Sequence, residues 1–382
     1  MLLSSALEFV NCYGLQLLQE GNAGIEAIAV GSKDTGPLET STEFSVTAYV
    51  REKRTERDLE RASVRSFSAL VQDASEDKGL FSRSDIDVVE CGSAFEVQDS
   101  IRVAAAQRGV HGGPIPDFNS QREFQELRAG IGITNPVGAY PNGLSVGTLG
   151  FFVVDEETDE HFLVSNNHVI GGSNAATVGD AIVQPGTLDL TASELQLMPT
   201  EAALVQRLGI AELDTIVPLQ FQSPKSTPHN TVDAAMARLT GTQRGRSHLH
   251  QVCFAGSVRG VASPYTVDQD GALSGSGLVY KAGRTTGMTE GSVIGIGGVA
   301  TIPYPTGNAY FHNQLVIRAT PDNGGPFSAP GDSGSGILNN RHELVGLLYA
   351  GSKQQTLANP IDLVLNELRQ ASGRSQLQVV HA

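Results

Sequence analysis

The chain is short of cysteine, of positive charge and of long apolar runs, and each shortage removes a class of protein. Three cysteines in 382 residues, Cys12, Cys91 and Cys253, lie far apart and make no CxxC pair, so no disulfide framework or dithiol motif is available. A reducing, cytoplasmic location is the expectation. Lysine and arginine number 26 against 41 aspartates and glutamates, a formal net charge of −15 that repels phosphate backbones. The one dense basic cluster, Arg51, Lys53, Arg54 and Arg57, is interleaved with Glu52, Glu56, Asp58 and Glu60 and reads as a solvated, ion-paired face. No run approaches the roughly 18 to 20 apolar residues of a membrane span. The opening MLLSSALEFVNCYG lacks a basic n-region and carries Glu8 in its would-be apolar stretch, which argues against a signal peptide. The expectation is a mature soluble protein with neither a nucleic-acid nor a membrane partner.

What is present leans towards β structure. The chain is 40% hydrophobic with 43 glycines, poor in the residues that build long helices, and at about 150 residues per domain its length suits two or three domains. Residues 4 to 20 space Leu7, Val10, Leu15 and Leu18 as in a helix, with Gly21 as its stop. Three β-branched runs follow, GIEAIAVG, EFSVTAYV and DIDVVECG, with a charged stretch from Glu52 to Gln72 between the second and third that reads as one surface helix. Residues 1–105 are thus expected as a small α/β domain and the glycine-containing 106–128 as a linker. From residue 129 onward short strands alternate with glycine-rich turns: SVGTLGFFVV, HFLVSNNHVI, AIVQPG, TVDAAMARL, SVIGIGGVATI, QLVIRAT and HELVGLLYAG. That texture predicts a sandwich or barrel. NPIDLVLNELRQ closes it as an amphipathic helix over about 359–371, with Asn359 as N-cap, Pro360 at the first helical position and Ile361, Val364, Leu365 and Leu368 on one face.

Chemistry concentrates in PGDSGSGI, residues 330–337. A serine hydroxyl needs a base to take its proton and N–H groups to hold the oxyanion. Gly331 and Gly334 permit the sharp backbone that exposes Ser333 and turns the N–H groups of Gly331 and Ser333 to one point. His168 ends the strand in SNNHVIGG and offers the base. Asp233 lies within the apolar run TVDAAMARL, where a buried carboxylate is costly unless hydrogen-bonded, and an imidazole N–H is a suitable partner.

His168, Asp233 and Ser333, in that order and in the contexts HV, VDAA and GDSGSG, resemble the trypsin-like serine peptidases. The order is not that of the α/β-hydrolases, whose nucleophile comes first. The resemblance spans roughly residues 130–370 and implies a mainly β fold, a chymotrypsin-like double β-barrel with a C-terminal helix, preceded here by the small α/β domain. The barrels are expected at about 129–245 and 250–357. A closer resemblance, carried by SVGTLGFFV, SNNHVIGG, GDAIVQPGTLD, TVDAAMA and GRTTGMTEGSV, is to the narrow-leaf type peptidases of plants and their bacterial relatives. It implies an intracellular homo-oligomer acting on protein or peptide substrates, with a regulatory protein partner as a further expectation and no cofactor. Where the family's primary pocket has its floor stands Phe327, with Ala350 and Gly351 as walls, which implies an apolar preference. Asp332 lacks the α-amino partner of zymogen-activated relatives, and Ser335 replaces the usual second glycine.

Other motifs carry less. His248, His250 and Cys253 in HLHQVC have no second ligand pair, so no metal site is expected. GRTTGMTEG lacks the ending of a phosphate loop and reads as turn plus strand. Cys12 and Cys91 have no base beside them in sequence and read as small buried apolar residues. Two alternatives to an active endopeptidase remain: a latent or non-catalytic module acting as a partner-gated switch or scaffold, and an esterase using the same three residues.

Overall fold

The computed structural model describes residues 3–20, 24–32, 43–62, 65–74, 85–97, 103–104, 121–241, 245–263, 265–267, 273–275 and 277–382. Gly21, and the expected linker apart from residues 121–128, lie outside them. Helix α1 (Leu3–Glu20) buries Leu3, Ala6, Phe9, Val10, Leu17 and Leu18, a stripe at three- and four-residue spacing. Leu7 and Leu15, expected on that face, sit at its margin, half-buried. Strands β1 (Ile25–Ser32) and β2 (Phe44–Val50) are antiparallel, and β3 (Ile86–Glu90) runs parallel to β2. The charged stretch between β2 and β3 is two helices instead of one, α2 (Glu56–Arg61) and α3 (Phe67–Ala74). Only α3 has an apolar set, Phe67, Leu70 and Val71, to bury, and it carries the packing that α2 lacks.

The first barrel is built from β4 (Phe151–Asp155), β5 (Glu160–Ser165), β6 (Ala181–Val183), helix α4 (Glu201–Leu208), β7 (Gly209–Ile216) and β8 (Ala235–Leu239). Its strands run β6-β7-β8-β5-β4. Gly132–Ile133 pairs with Gly147–Thr148, and Thr134 bridges to Val183, which brings the two sides of the sheet together. Leu127, at the end of the expected linker, already belongs to this core, with Phe151, Phe162 and Leu163.

The second barrel comprises β9 (Leu278–Gly283), β10 (Gly287–Tyr304), β11 (Gly307–Ala319), β12 (Gly336–Asn339), β13 (Glu343–Gly351) and β14 (Gln355–Pro360). Pairings β12–β9, β9–β10, β10–β11, β11–β14, β14–β13 and β13–β12 close it completely. GRTTGMTEG is indeed the turn and strand start between β9 and β10. Residues 295–300 of the 18-residue β10 also pair with β1, so β1, β2 and β3 continue the barrel's sheet. The first 97 residues, expected as a domain apart, therefore share a sheet and an apolar cluster with the second barrel: α1 covers Ile28, Val30, Val46, Val293, Ile296 and Val299.

Helix α5 (Ile361–Ser372) follows, with Ile361, Val364, Leu365 and Leu368 buried against the first barrel. Each such side chain contributes about 2 kcal/mol of burial. Its N-cap is Pro360, one residue later than expected, because Asn359 stays in β14 and uses its side chain elsewhere. β15 (Leu377–Val379) then pairs with β4, returning the C-terminus to the first barrel. Among the described residues no helix is long and apolar enough to cross a membrane. All three cysteines are free; Cys91 and Cys253 are buried, but Cys12 is exposed because it falls on the outer face of α1.

Candidate active site

His168 sits in a π-type turn (Asn167–Gly171) directly after β5, and Asp233 two residues before β8, so adjacent antiparallel strands of the first barrel deliver both. His168 Nδ1 lies 2.6 Å from Asp233 Oδ2, and the His168 backbone N–H donates to Asp233 Oδ1 at 3.2 Å. The pair is withdrawn from water, with His168 3% and Asp233 0% exposed. The carboxylate takes a further donor that the sequence did not signal: the Tyr304 hydroxyl, from the far end of β10, at 2.8 Å from Oδ2. Two amides fix the Asp233 backbone. Asn166 Nδ2 donates to its carbonyl at 2.7 Å, and its N–H donates to Asn359 Oδ1 at 3.0 Å, while Asn359 Nδ2 donates to Gln314 Oε1 at 2.6 Å.

Two other carboxylates that could have held the histidine are taken by arginines. Asp214 pairs with Arg374 at 2.9 Å, and Asp189 with Arg284 at 2.9 Å; burial raises the Asp189 carboxyl, opposed by the Arg284 charge.

Ser333 comes from the second barrel, on the turn between β11 and β12. Gly331 at φ +99° and Gly334 at φ +92° take backbone conformations that side chains resist, and a Cβ on Gly334 would meet Ser165 Oγ and Thr148 O at 2.2 Å. Thr148 of the first barrel holds the turn from both ends: its N–H donates to the Ser333 carbonyl at 2.8 Å and its hydroxyl to the Gly331 carbonyl at 2.8 Å. The Ser333 hydroxyl donates to the Tyr349 carbonyl at 3.2 Å, and Ser333 is fully buried. Ser335 donates through Oγ to the Asp332 carbonyl at 2.6 Å, so a small polar residue serves at this position.

The missing partner of Asp332 is Lys281 of β9, with Nζ 3.5 Å from Oδ2 and both side chains fully buried. Burial pulls the Lys281 amine below its ordinary value, and the Asp332 charge pulls it back. Backbone N–H groups of Thr285 (2.8 Å), Thr286 (3.1 Å) and Ala329 (3.0 Å) and the Thr286 hydroxyl (2.7 Å) complete the shell of Asp332. The turn in GRTTG is thus the cradle of this carboxylate.

The expected pocket residues do not form one group. Phe327 is buried in the apolar cluster of Val279, Val293, Ile317 and Ile337, with Lys281 Nζ 5.8 Å from its ring, whereas Ala350 packs with Tyr49, Phe95 and Tyr349. Ala350 and Gly351 lie on the end of β13 and pair with Val97 and Glu96. His248 contacts Glu126 at 3.3 Å, and among the described residues no cluster could hold a metal ion.

Two β-barrels, the second closed, one bearing a buried imidazole–carboxylate pair and the other a glycine-bracketed Asp-Ser turn, define a double-barrel protein of the chymotrypsin-like class. The trypsin family model matches residues 157–366, more than half of the chain, and the chain belongs to that family. Among solved structures, the chain is similar to Protease A of Thermobifida fusca, at 16% identity over 67% of this chain and 100% of that one with a TM-score of 0.40. It is also similar to a chymotrypsin of Cellulomonas bogoriensis, at 18% identity over 67% and 100% with a TM-score of 0.38. No curated protein matches.

Proposed function

We propose that the chain is a serine endopeptidase that hydrolyses peptide bonds through His168, Asp233 and Ser333. The observation that carries this reading is the 2.6 Å contact of His168 Nδ1 with a buried Asp233, since it fixes the tautomer that leaves Nε2 able to accept a proton. Ser333 Oγ attacks the peptide carbonyl as its proton passes to His168, Asp233 stabilises the imidazolium, and water releases the acyl group by the same base. The N–H groups of Gly331 and Ser333 hold the oxyanion, on the order of 3 kcal/mol per donor. An oligomeric state, an intracellular location and the likeness to narrow-leaf type peptidases belong to the same proposal, and rest on the motifs above.

A second reading concerns state. The single proton of the Ser333 hydroxyl is given to the Tyr349 carbonyl. The hydroxyl must therefore turn its proton away from that carbonyl before it can hand it to His168, which fits a latent enzyme opened by a peptide or protein partner.

Intact mass after exposure to a fluorophosphonate tests the proposal. One adduct is expected on the parent chain and none on Ser333→Ala or His168→Ala; an adduct that survives Ser333→Ala refutes it. Turnover of Asp233→Asn should fall by a factor of about 10⁴ through loss of the right tautomer, and near-normal turnover would remove Asp233 from the mechanism.

A further inference from the structure

The two edges of β13 are used differently along its length. On one side β14 accompanies it as far as Gly351. On the other, β12 ends opposite Leu347; the Ser333–Ser335 turn then takes over, with Gly334 N–H donating to the Leu348 carbonyl and Leu348 N–H to the Ser335 carbonyl. The next carbonyl, of Tyr349, accepts from the Ser333 hydroxyl. Beyond it, at Ala350 and Gly351, the edge is filled by the chain's own residues 96 and 97, antiparallel, with Val97 opposite Ala350 and Glu96 opposite Gly351.

The direction of that pairing matters. From Glu96 to Val97 the added strand runs from Gly351 towards Tyr349, so its carboxyl side heads for Ser333. An extended peptide added to this edge with the same polarity brings its following carbonyls to the nucleophile, by strand addition. The segment is also held in place. Phe95 is fully buried among Tyr49, Tyr349 and Ala350, with its ring 6.5 Å edge-on from Tyr49. Behind it the Lys353 N–H donates to Ser93 Oγ at 3.0 Å, and Gln355 Nε2 to the Glu90 carbonyl at 3.2 Å. Ser333 is fully buried and His168 nearly so.

We propose that Phe95–Val97 is a resident occupant of the peptide-binding edge of β13: the chain fills its own cleft with a substrate-like strand, and a peptide must displace it to reach Ser333. This rests on the hydrolase reading, because the edge has meaning as a substrate site only if Ser333 is the nucleophile. The displacing ligand is an extended peptide with an aromatic residue two places before the one opposite Ala350, the spacing of Phe95 to Val97. A tethered strand competes at an effective concentration on the order of millimolar, so weak or mismatched peptides stay out.

The test uses the full chain carrying Ser333→Ala, which cannot turn over, and a fluorescent hexapeptide copying residues 93–98, read by anisotropy. Adding Val97→Pro puts a residue with no N–H and a fixed φ opposite Ala350, which disfavours the strand's pairing to the edge. The expected result is that the Val97→Pro chain binds the peptide roughly tenfold or more tightly than the chain without it, because the competent state is no longer occupied. Equal affinity in the two chains, no binding by either, or equal binding of a scrambled peptide overturns the proposal. Should Val97→Pro fail to fold, hydrogen exchange on the unmodified chain decides: residues 96–97 and 350–351 are expected to be protected together and deprotected together, and free exchange of 96–97 overturns it. Fluorophosphonate labelling of the Ser333 chains separates the two readings, since tight peptide binding by Val97→Pro without any labelling sinks the peptidase and leaves the occupant in place.

Discussion

Lys281 and Asp332 face each other with no solvent on either, and Asp332 directly precedes Ser333 in the turn. Replacing the ammonium with an isosteric apolar group leaves a buried carboxylate with hydrogen-bond donors but no counter-charge. Lys281→Met should therefore destabilise the chain by about 3 kcal/mol in chemical denaturation. A loss under about 1 kcal/mol would mean that the N–H groups of Thr285, Thr286 and Ala329 carry the charge alone. Tyr304 invites a milder change. Tyr304→Phe removes one donor from Asp233 and should lower turnover roughly tenfold. Unchanged turnover would leave Tyr304 as packing only. His168, Asp233 and Ser333 were legible because each is a polar residue where local pattern calls for an apolar one or for a strained turn. Lys281 carries the same signal, a lone charge in the apolar run LVYKAG, and the logic that singled out Asp233 applies to it unchanged. Tyr304 and Asn359 carry no such signal: a tyrosine at a strand end and an asparagine before a proline are ordinary, and only the fold brings them to Asp233.

At the scale of elements, the strand positions were readable because alternation is local, and the places where two elements compete were not. Asn359 suits a helix N-cap by propensity, yet β14 continues through it, since its amide serves Asp233 and Gln314. A comparable tertiary contact lies at His229–Asn230, which pairs parallel with Tyr310–Phe311 and anchors the loop that leads to Asp233. His229 stacks edge-on against His312, with ring centroids 4.3 Å apart, and burial, helped by the His229 charge, pushes His312 down to about 4. The unfolded chain holds this proton with a value near 6.5, so the folded state binds fewer protons between those limits. The resulting stability is present above about pH 6.5 and is lost as the pH falls towards 4. The melting temperature of the parent should drop further from pH 7 to 4.5 than that of His312→Gln, the carboxylates common to both cancelling. Parallel curves for the two proteins would show that His312 does not contribute in this window.

For the whole molecule, the consequential pairing is β1 with β10, between segments more than 260 residues apart. Each strand announces itself by its own sequence, but nothing local names its partner, and for that reason residues 1–105 read as a separate domain. Both faces of β1 are in use: Ile28 and Val30 lie under α1, and Ala27 and Ala29 pack towards Tyr49 and Phe95. Taking these residues away uncovers Val293, Ile296 and Val299 together with a free strand edge on β10, a combination prone to edge-to-edge association. The layer that positions the Phe95–Val97 occupant is thus the same layer that completes the second barrel's core, and occupancy of the cleft is coupled to the fold itself. Calorimetry of the full chain should then give one transition for the N-terminal layer and the second barrel, with no separate early melting of the first 97 residues, and a chain beginning at residue 121 should aggregate. A truncated chain that stays monomeric with the parent's melting temperature would mean that the layer is an appendage, held to the barrel by a pairing that contributes little.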